Sequence, residues 1–320
     1  MKKIVLAVGL LAFGACFMQA QHLTGAGATF PYPIYSKWFS EYSAAHPGVE
    51  INYQSIGSGG GIRQISNGLV DFGASDGPMT DAQLAASKVK LIHLPTVLGA
   101  VVPVFNVPGV TDLRFTGDVI ADIYLGKITQ WDDPRIAKEN PEAKLPGQKI
   151  IVVHRSDGSG TSYIFTDYLS KVSKEWAAGP GKNTSPSWPT GVGGKGNEGV
   201  AGLVRQLPGA IGYVELIYAL QNHMSFGAVK NAAGNWEKAS IAGVTEAAAS
   251  VKDMPDDFRV SITNAPGPNA YPISSFTWLL IPLKSADPAK GKVLKDMLSW
   301  IVTFGESEVS ALSYAPLPDN

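Results

Sequence analysis

Cysteine is nearly absent: the chain has one in 320 residues, Cys16. A single thiol excludes an intrachain disulfide framework and any cysteine-rich metal centre. Lysine and arginine form no block, and 26 basic residues stand against 27 acidic ones for a net charge of −1. Nucleic acid is therefore not an expected partner. The five histidines, His22, His46, His93, His154 and His223, lack metal-ligand spacing and are expected on the surface or at the ends of elements. Beyond Phe17 no apolar run approaches the roughly 18 residues of a membrane-spanning helix, so the mature chain is expected to be soluble. The stretch Gly193-Gly-Lys195-Gly196 has no Ser or Thr after the lysine, and no G-x-G-x-x-G follows a strand pattern. Nucleotide and dinucleotide binding are set aside on that ground, and no metal or organic cofactor is expected.

What is present is a globular composition, 45% hydrophobic and 17% charged, in a chain long enough for two domains. Residues 1–20 read as a secretory leader. Lys2-Lys3 provide the positive start, Ile4 to Phe17 an apolar run too short to span a bilayer, and Ala20 a small residue at the cleavage point. Cleavage there leaves 24 basic against 27 acidic residues and removes Cys16. Gly14-Ala15-Cys16 also resembles a lipoprotein processing site, but Phe13 replaces the preferred aliphatic residue and the tether would be short. Lipid anchoring at Cys16 is the less favoured reading.

Three strand-to-helix junctions carry the chemistry. Ile150-Ile-Val-Val-His-Arg155 runs into Ser156-Asp-Gly-Ser-Gly-Thr161, and Tyr163, Phe165, Tyr168 and Leu169 then recur at helical spacing. A helix start presents unpaired N–H groups and a partial positive charge. Ser159 and Thr161 add hydroxyl donors and Arg155 a planar donor fork. Upstream, the strand pattern Val49 to Ile56 meets Gly57-Ser58-Gly59-Gly60-Gly61, with Ile62, Ile65, Ser66 and Leu69 on one helical face. Near the start, Gly25-Ala-Gly-Ala-Thr29-Phe30-Pro31 leads into Ile34, Trp38, Phe39 and Tyr42. Any one junction is explained by N-capping alone; three of them, one with an arginine, point to a convergent anion site.

A fourth element, Leu69 to Pro78, is a short strand ending in Asp76 and a turn. An ionised carboxylate only accepts hydrogen bonds. Beside an anion it repels, unless the anion carries a proton to donate, as phosphate does at neutral pH and sulfate does not. Selection by built-in repulsion is one reading of Asp76; a turn-forming residue before Gly77-Pro78 is the other.

Residues 21–104 alternate strand and helix patterns, and an apolar strand from Thr96 to Phe105 leads to a crossing at Asn106-Val-Pro-Gly109. Residues 105–263 contain a helix near 118–125, the strand at 150–155 with its helix, a glycine-rich stretch, a helix at 199–206 and a strand at 211–214. The stretch 215–263 reads as helix plus loops. Tyr271 to Ile281 is a strand that returns to the first lobe. The last helix presents Val293, Leu294, Met297, Leu298, Trp300 and Ile301. The division is thus leader 1–20, first lobe 21–104 and 264–320, second lobe 105–263: an α/β protein of two lobes joined by two crossings, with its ligand in the cleft.

Leu23-Thr-Gly-Ala-Gly-Ala-Thr-Phe-Pro31, Phe72-Gly-Ala-Ser-Asp76, Asp122-Ile-Tyr-Leu-Gly-Lys-Ile128 with Trp131-Asp-Asp133, Arg155 to Thr161, Gly193-Gly-Lys-Gly-Asn197 and Pro208 to Val214 recur in this order. From about residue 23 to its C-terminus the chain resembles the periplasmic phosphate-binding proteins of ABC-type transporters. The resemblance implies a type II periplasmic binding protein fold that closes on one phosphate. It implies ligand contacts from Thr29, Phe30, Ser58, Asp76, Arg155, Ser159, Gly160 and Thr161, with Asp157 orienting Arg155 by a salt bridge. It further implies a monomer in the periplasm that delivers phosphate to a permease and ATPase complex in the inner membrane. Gly59 stands where relatives often have a second Ser, and the end at Leu317-Pro-Asp-Asn320 falls where some carry a further helix.

Two other readings are kept. One is a binding protein for another tetrahedral oxyanion, sulfate or molybdate, against which Asp76 argues. The other is a serine hydrolase: Gly73-Ala-Ser75-Asp-Gly77 fits G-x-S-x-G, with His154 or His223 as base, but the strand-to-helix turn this motif needs does not follow.

Overall fold

The computed structural model describes residues 20–318, so the leader, Cys16 and the last two residues lie outside the described part. The first segment runs β1 (Gln21–Gly27), α1 (Tyr32–Ala45), β2 (Val49–Ser55), α2 (Ser58–Ser66), β3 (Phe72–Ser75), α3 (Asp81–Ala86) and the long β4 (Leu91–Asn106). It continues with β5 (Arg114–Phe115), α4 (Gly117–Tyr124), α5 (Pro134–Glu139), β6 (Ile151–Arg155), α6 (Gly160–Val172), α7 (Lys174–Ala178), β7 (Val192–Gly194), α8 (Gly196–Gln206), β8 (Ala210–Glu215) and α9 (Leu216–Gln221). The rest is β9 (Ser225–Phe226), β10 (Ala228–Lys230), β11 (Trp236–Glu237), α10 (Ile241–Ala249), β12 (Ser274–Pro282), α11 (Pro288–Thr303) and a closing 3-10 helix at Gly305–Leu312.

One mixed sheet has the order β2-β1-β3-β12-β4-β8-β6-β7, with β9 attached to β4. Strand β4 belongs to both halves. From Leu91 to Ala100 it pairs with β12, and from Val101 to Asn106 with β8. Its continuous apolar run is buried on both faces, as a strand covered by helices must be. Pro95 is tolerated inside it because the register shifts opposite Thr277 and Trp278, where a bulge leaves Thr96 unpaired in the ladder. The Thr96 hydroxyl instead meets Tyr35 and the Thr277 carbonyl.

Each half closes over its own aromatic core. Tyr35, Trp38, Phe39, Tyr53 and Phe72 pack between α1 and the β2–β1–β3 edge. Tyr124, Phe165, Trp188 and Tyr213 pack between α4, α6 and β8. The fully buried Trp38, Trp131, Trp176 and Trp278 each donate their indole N–H to a backbone carbonyl, which removes the cost of burying that group.

Several elements differ from the sequence reading. Helix α8 starts at Gly196, three residues earlier than expected, because glycines that look like loop form its first turn. The stretch after Glu215 contains three short strands besides α9 and α10, too brief to leave a periodic pattern. In α11 only Leu294, Met297 and Ile301 are fully buried. His93 is not a surface residue: it is buried, and its Nε2 accepts the Met79 N–H at 3.0 Å. Burial and the nearby Arg259 charge hold its pKa down to about 4, so the ring is neutral. His154 is half-buried and stacks on Trp188.

Candidate functional site

The junctions converge where β1, β3 and β6 end. The turn after β1 is held by three tyrosines. Tyr53, Tyr218 and Tyr314 donate their hydroxyls to the carbonyls of Ala28, Thr29 and Phe30, at 2.8, 2.6 and 2.6 Å. In a trans peptide the carbonyl and the following N–H point opposite ways. Anchoring the Ala28 and Thr29 carbonyls therefore turns the Thr29 and Phe30 amides away from the tyrosines.

Helix α2 begins at Ser58, after Gly57 with φ of 82°. Gly57 is required twice over: the left-handed backbone favours glycine, and a Cβ there would run into the Asp157 carboxylate and the Gly158 carbonyl. The two halves meet at this point, with the Gly59 N–H donating to the Gly158 carbonyl at 2.9 Å. Helix α6 is capped by Ser159, whose hydroxyl accepts the Ser162 N–H at 3.0 Å. This leaves the first-turn amides of Gly160 and Thr161 without an intrahelical acceptor. A Cβ on Gly160 would collide with Asp76 Oδ2 and Ser58 Oγ, so the start of α6 lies directly against them.

Arg155 ends β6 and is 3% exposed. Its Nε and Nη2 donate to Asp157 Oδ1 and Oδ2 at 2.7 and 2.6 Å, a two-pronged pair, and Nη1 reaches Thr161 Oγ1 at 3.3 Å. Burial alone raises the Asp157 carboxyl, but the pair with Arg155 outweighs it and holds the group below the usual carboxylate range. Asp76, at the end of β3, is 1% exposed. It accepts from Thr277 Oγ1 at 2.8 Å, and its N–H donates to Ser58 Oγ at 3.2 Å. Burial pushes its carboxyl up to about 7, against the opposing pulls of Thr277, Arg155 and Ser58.

The structure thus brings Thr29, Ser58, Asp76, Arg155, Asp157, Ser159, Gly160 and Thr161 to one place, with Phe30 in the adjoining turn. It places Gly59 at the contact between the halves. Sequence reasoning missed three further residues. Thr277, within an apolar strand, is the hydroxyl partner of Asp76. Asn197, within the glycine-rich stretch, bonds both Thr29 and Thr161. Glu215 ends β8 fully buried, and burial lifts its carboxyl well above the usual range. The only sequence signal for them was Asn197's place in the motif that ends the Gly193 stretch.

Taken together, backbone amides, the four hydroxyls of Thr29, Ser58, Ser159 and Thr161 and one guanidinium face one buried carboxyl. Such a set binds an oxyanion that offers acceptors on most sides and a proton on one. A surface cavity of about 500 Å³ between residues 109–114 and 139–144 lies elsewhere and contains none of these groups. A cavity of about 480 Å³ lined by Gly59, Arg63, Asp157, Thr184 and Lys195 abuts the site along the line where the halves meet. Ser75 is not presented as a nucleophile: it is buried, its hydroxyl bonds the Gly77 carbonyl of its own turn, and α3 starts only at Asp81.

A family model described as a PBP superfamily domain matches residues 18–303. The phosphate-binding protein PstS of Xylella fastidiosa (strain Temecula1) is 49% identical over 302 residues, covering 93% of this chain and 82% of the relative. The phosphate-binding protein PstS of Pasteurella multocida is 44% identical over 321 residues, covering 99% and 92%. Among solved structures, a high-affinity periplasmic phosphate-binding protein (PfluDING) bound with phosphate superimposes with a TM-score of 0.76 at 24% identity, over 93% of this chain and 91% of that one. At that identity the likeness concerns the fold, which is the two-lobed α/β arrangement described above.

Proposed function

Because the chain belongs to the PBP superfamily and, within it, to the PstS phosphate-binding proteins, we propose that it binds inorganic phosphate for import by an ABC-type transporter. Thr29, Phe30, Ser58, Arg155, Ser159, Gly160 and Thr161 are the donors in this reading, and Asp76 is the acceptor. Asp157 orients the arginine. The two lobes are residues 21–104 with 264–320, and 105–263, and they clasp the ligand between them. The chain acts as a monomeric carrier and not as an enzyme, in the periplasm after cleavage behind Ala20, and hands phosphate to a permease and ATPase complex in the inner membrane. Among the described residues no helix is long and apolar enough to cross a membrane.

The observation that carries this reading is Asp76, a buried carboxyl set against the start of α6. In its ionised form this carboxyl is satisfied by a hydrogen-bearing oxyanion; one without hydrogen leaves two acceptors face to face, and a site built for a hydrogen bond rejects the ligand lacking it. The magnitudes agree. Hydrogen bonds to charged groups contribute roughly 1.5–3 kcal/mol each. Six of them offset an association cost of at least about 4 kcal/mol and leave the roughly −8 kcal/mol of micromolar binding.

Calorimetry on the mature chain tests it. One phosphate per chain with sulfate weaker by orders of magnitude is expected. Comparable heats from phosphate, sulfate and molybdate would replace phosphate selectivity with general oxyanion binding.

A further inference from the structure

We propose that Asn197 sets the direction of two hydroxyl protons, those of Thr29 and Thr161, and so makes both side chains obligate donors to the ligand. This rests on the phosphate reading above and deepens it by naming a specificity-determining residue.

Asn197 is fully buried in the first turn of α8. Its Oδ1 accepts the Glu215 N–H at 2.9 Å. A backbone N–H can only donate, so the oxygen must face Glu215 and the NH₂ must face the site. That NH₂ lies 2.7 Å from Thr29 Oγ1 and 3.0 Å from Thr161 Oγ1. Each hydroxyl oxygen receives a second donor: the Asn197 backbone N–H at 3.3 Å for Thr29, and Arg155 Nη1 at 3.3 Å for Thr161.

A hydroxyl has two acceptor positions and one proton. Here all four acceptor positions are taken by groups that cannot themselves accept. The one proton on each hydroxyl can then point only away from Asn197 and Arg155. A free threonine hydroxyl would adapt to a protonated or unprotonated ligand oxygen. These two cannot, and they demand acceptors. Asp76 on the opposite wall demands a hydrogen. The ligand's proton is thereby confined to one face, which sharpens selection beyond what Asp76 alone provides.

The test compares Asn197→Ala with the isosteric Asn197→Asp, using inorganic phosphate as the probe and melting of the ligand-free chain to confirm folding. Removing the amide frees the hydroxyls to rotate, and phosphate affinity should fall about tenfold. The introduced carboxylate would instead accept both protons and reverse their direction, and affinity should fall about a thousandfold or more. The second loss should shrink, relative to the parent chain, as pH drops from about 8 to about 5 and the introduced carboxyl is neutralised. Around it stand Arg155 and Asp157 on the β6 side, Asp76 beyond β3, and Glu215 at the end of β8. Repulsion of phosphate by the introduced charge gives the same pH trend, so the decision rests on the Asn197→Ala loss and its overlap with Thr29→Ala.

Whether or not Asn197→Asp folds, a cycle between Asn197→Ala and Thr29→Ala decides: losses that add fully overturn the proposal, and losses that overlap support it. Parent-like phosphate binding in both Asn197 variants would overturn the inference while leaving the phosphate reading intact. Absence of phosphate binding in the parent chain would instead sink that reading first.

Discussion

The two walls of the cleft handle charge in opposite ways. On the β6–α6 wall a buried arginine is neutralised within its own turn by Asp157, whose carboxyl is held down by the pair. On the β3 wall a buried carboxyl has, among the described residues, no cation in contact and two hydroxyl partners, and its pKa rises to about 7. Neither wall therefore offers a full positive charge to an anion. In the proposed reading, recognition comes from oriented dipoles at the starts of α2 and α6 and from the hydroxyls, with the arginine as a shaped donor more than a free cation. Charge alone does not distinguish one divalent oxyanion from another; hydrogen-bond direction does.

Breaking the arginine wall should have the largest effect. Arg155→Ala removes the donor fork and leaves Asp157 without its partner, so phosphate affinity should fall about a thousandfold or more. Titration calorimetry measures it, and a near-parental dissociation constant would move the site away from β6. Breaking the carboxyl wall should act on selectivity. Asp76→Asn supplies an amide that donates as well as accepts, so the repulsion of sulfate disappears. The phosphate-to-sulfate affinity ratio should drop about a hundredfold, read by competition. An unchanged ratio would return Asp76 to a turn-forming role.

The same carboxyl sharpens the comparison without any ligand. Its folded pKa lies above the usual carboxylate value of 3.8. The folded chain therefore holds a proton that the unfolded chain releases, and stability from this group is full below about pH 4 and lost as pH rises to about 7. Asp76→Asn has no such loss. Measured by denaturant melts, it should gain about 2 kcal/mol on the parent between about pH 5 and about pH 8. Asp157 has the opposite sign: its depressed pKa contributes stability above the usual carboxylate range that is lost as pH falls through its folded value.

How much of this was legible in the chain follows from how local each signal is. The three junctions could be read because a run of β-formers, a Gly/Ser/Thr turn and a helical repeat lie within a dozen or so residues. Arg155 and Asp157 are two residues apart, and their pairing needs no distant element. Asn197 bonds Thr29 across 168 positions and Thr277 bonds Asp76 across 201. Nothing local marks Thr277, which sits among Phe276, Trp278 and Leu279, and Asn197 is marked only by its place at the end of the Gly193 motif. His93 was misplaced for the same reason: a polar residue in an apolar strand is buried when the fold brings it a donor, here the Met79 amide. The bulge that admits Pro95 into a central strand is equally a product of pairing with β12.

The smallest effect isolates what crosses the cleft. Tyr218 and Tyr314 make the same bond, hydroxyl to carbonyl at 2.6 Å, one residue apart on the Thr29–Phe30 turn. Tyr314 reaches it from the segment that also bridges to Leu98 of β4, within the same half as the turn. Tyr218 reaches it from α9, directly after β8, in the opposite half. Removing the Tyr314 hydroxyl leaves the Phe30 carbonyl short of a donor, a cost of about 1–3 kcal/mol to the folded chain, whereas the Thr29 carbonyl without Tyr218 still accepts the Tyr32 N–H at 3.2 Å. The two variants should therefore differ. Tyr314→Phe should lower the melting temperature with phosphate release nearly unchanged, because its bond exists whether the halves are together or apart. If the proposed lobes separate on release, Tyr218→Phe should leave the ligand-free melt nearly unchanged and speed phosphate release about three- to tenfold in stopped-flow, because its bond would then form only on closure. Equal release rates in the two variants would mean that the tyrosines merely support the turn, and that closure draws no energy from it.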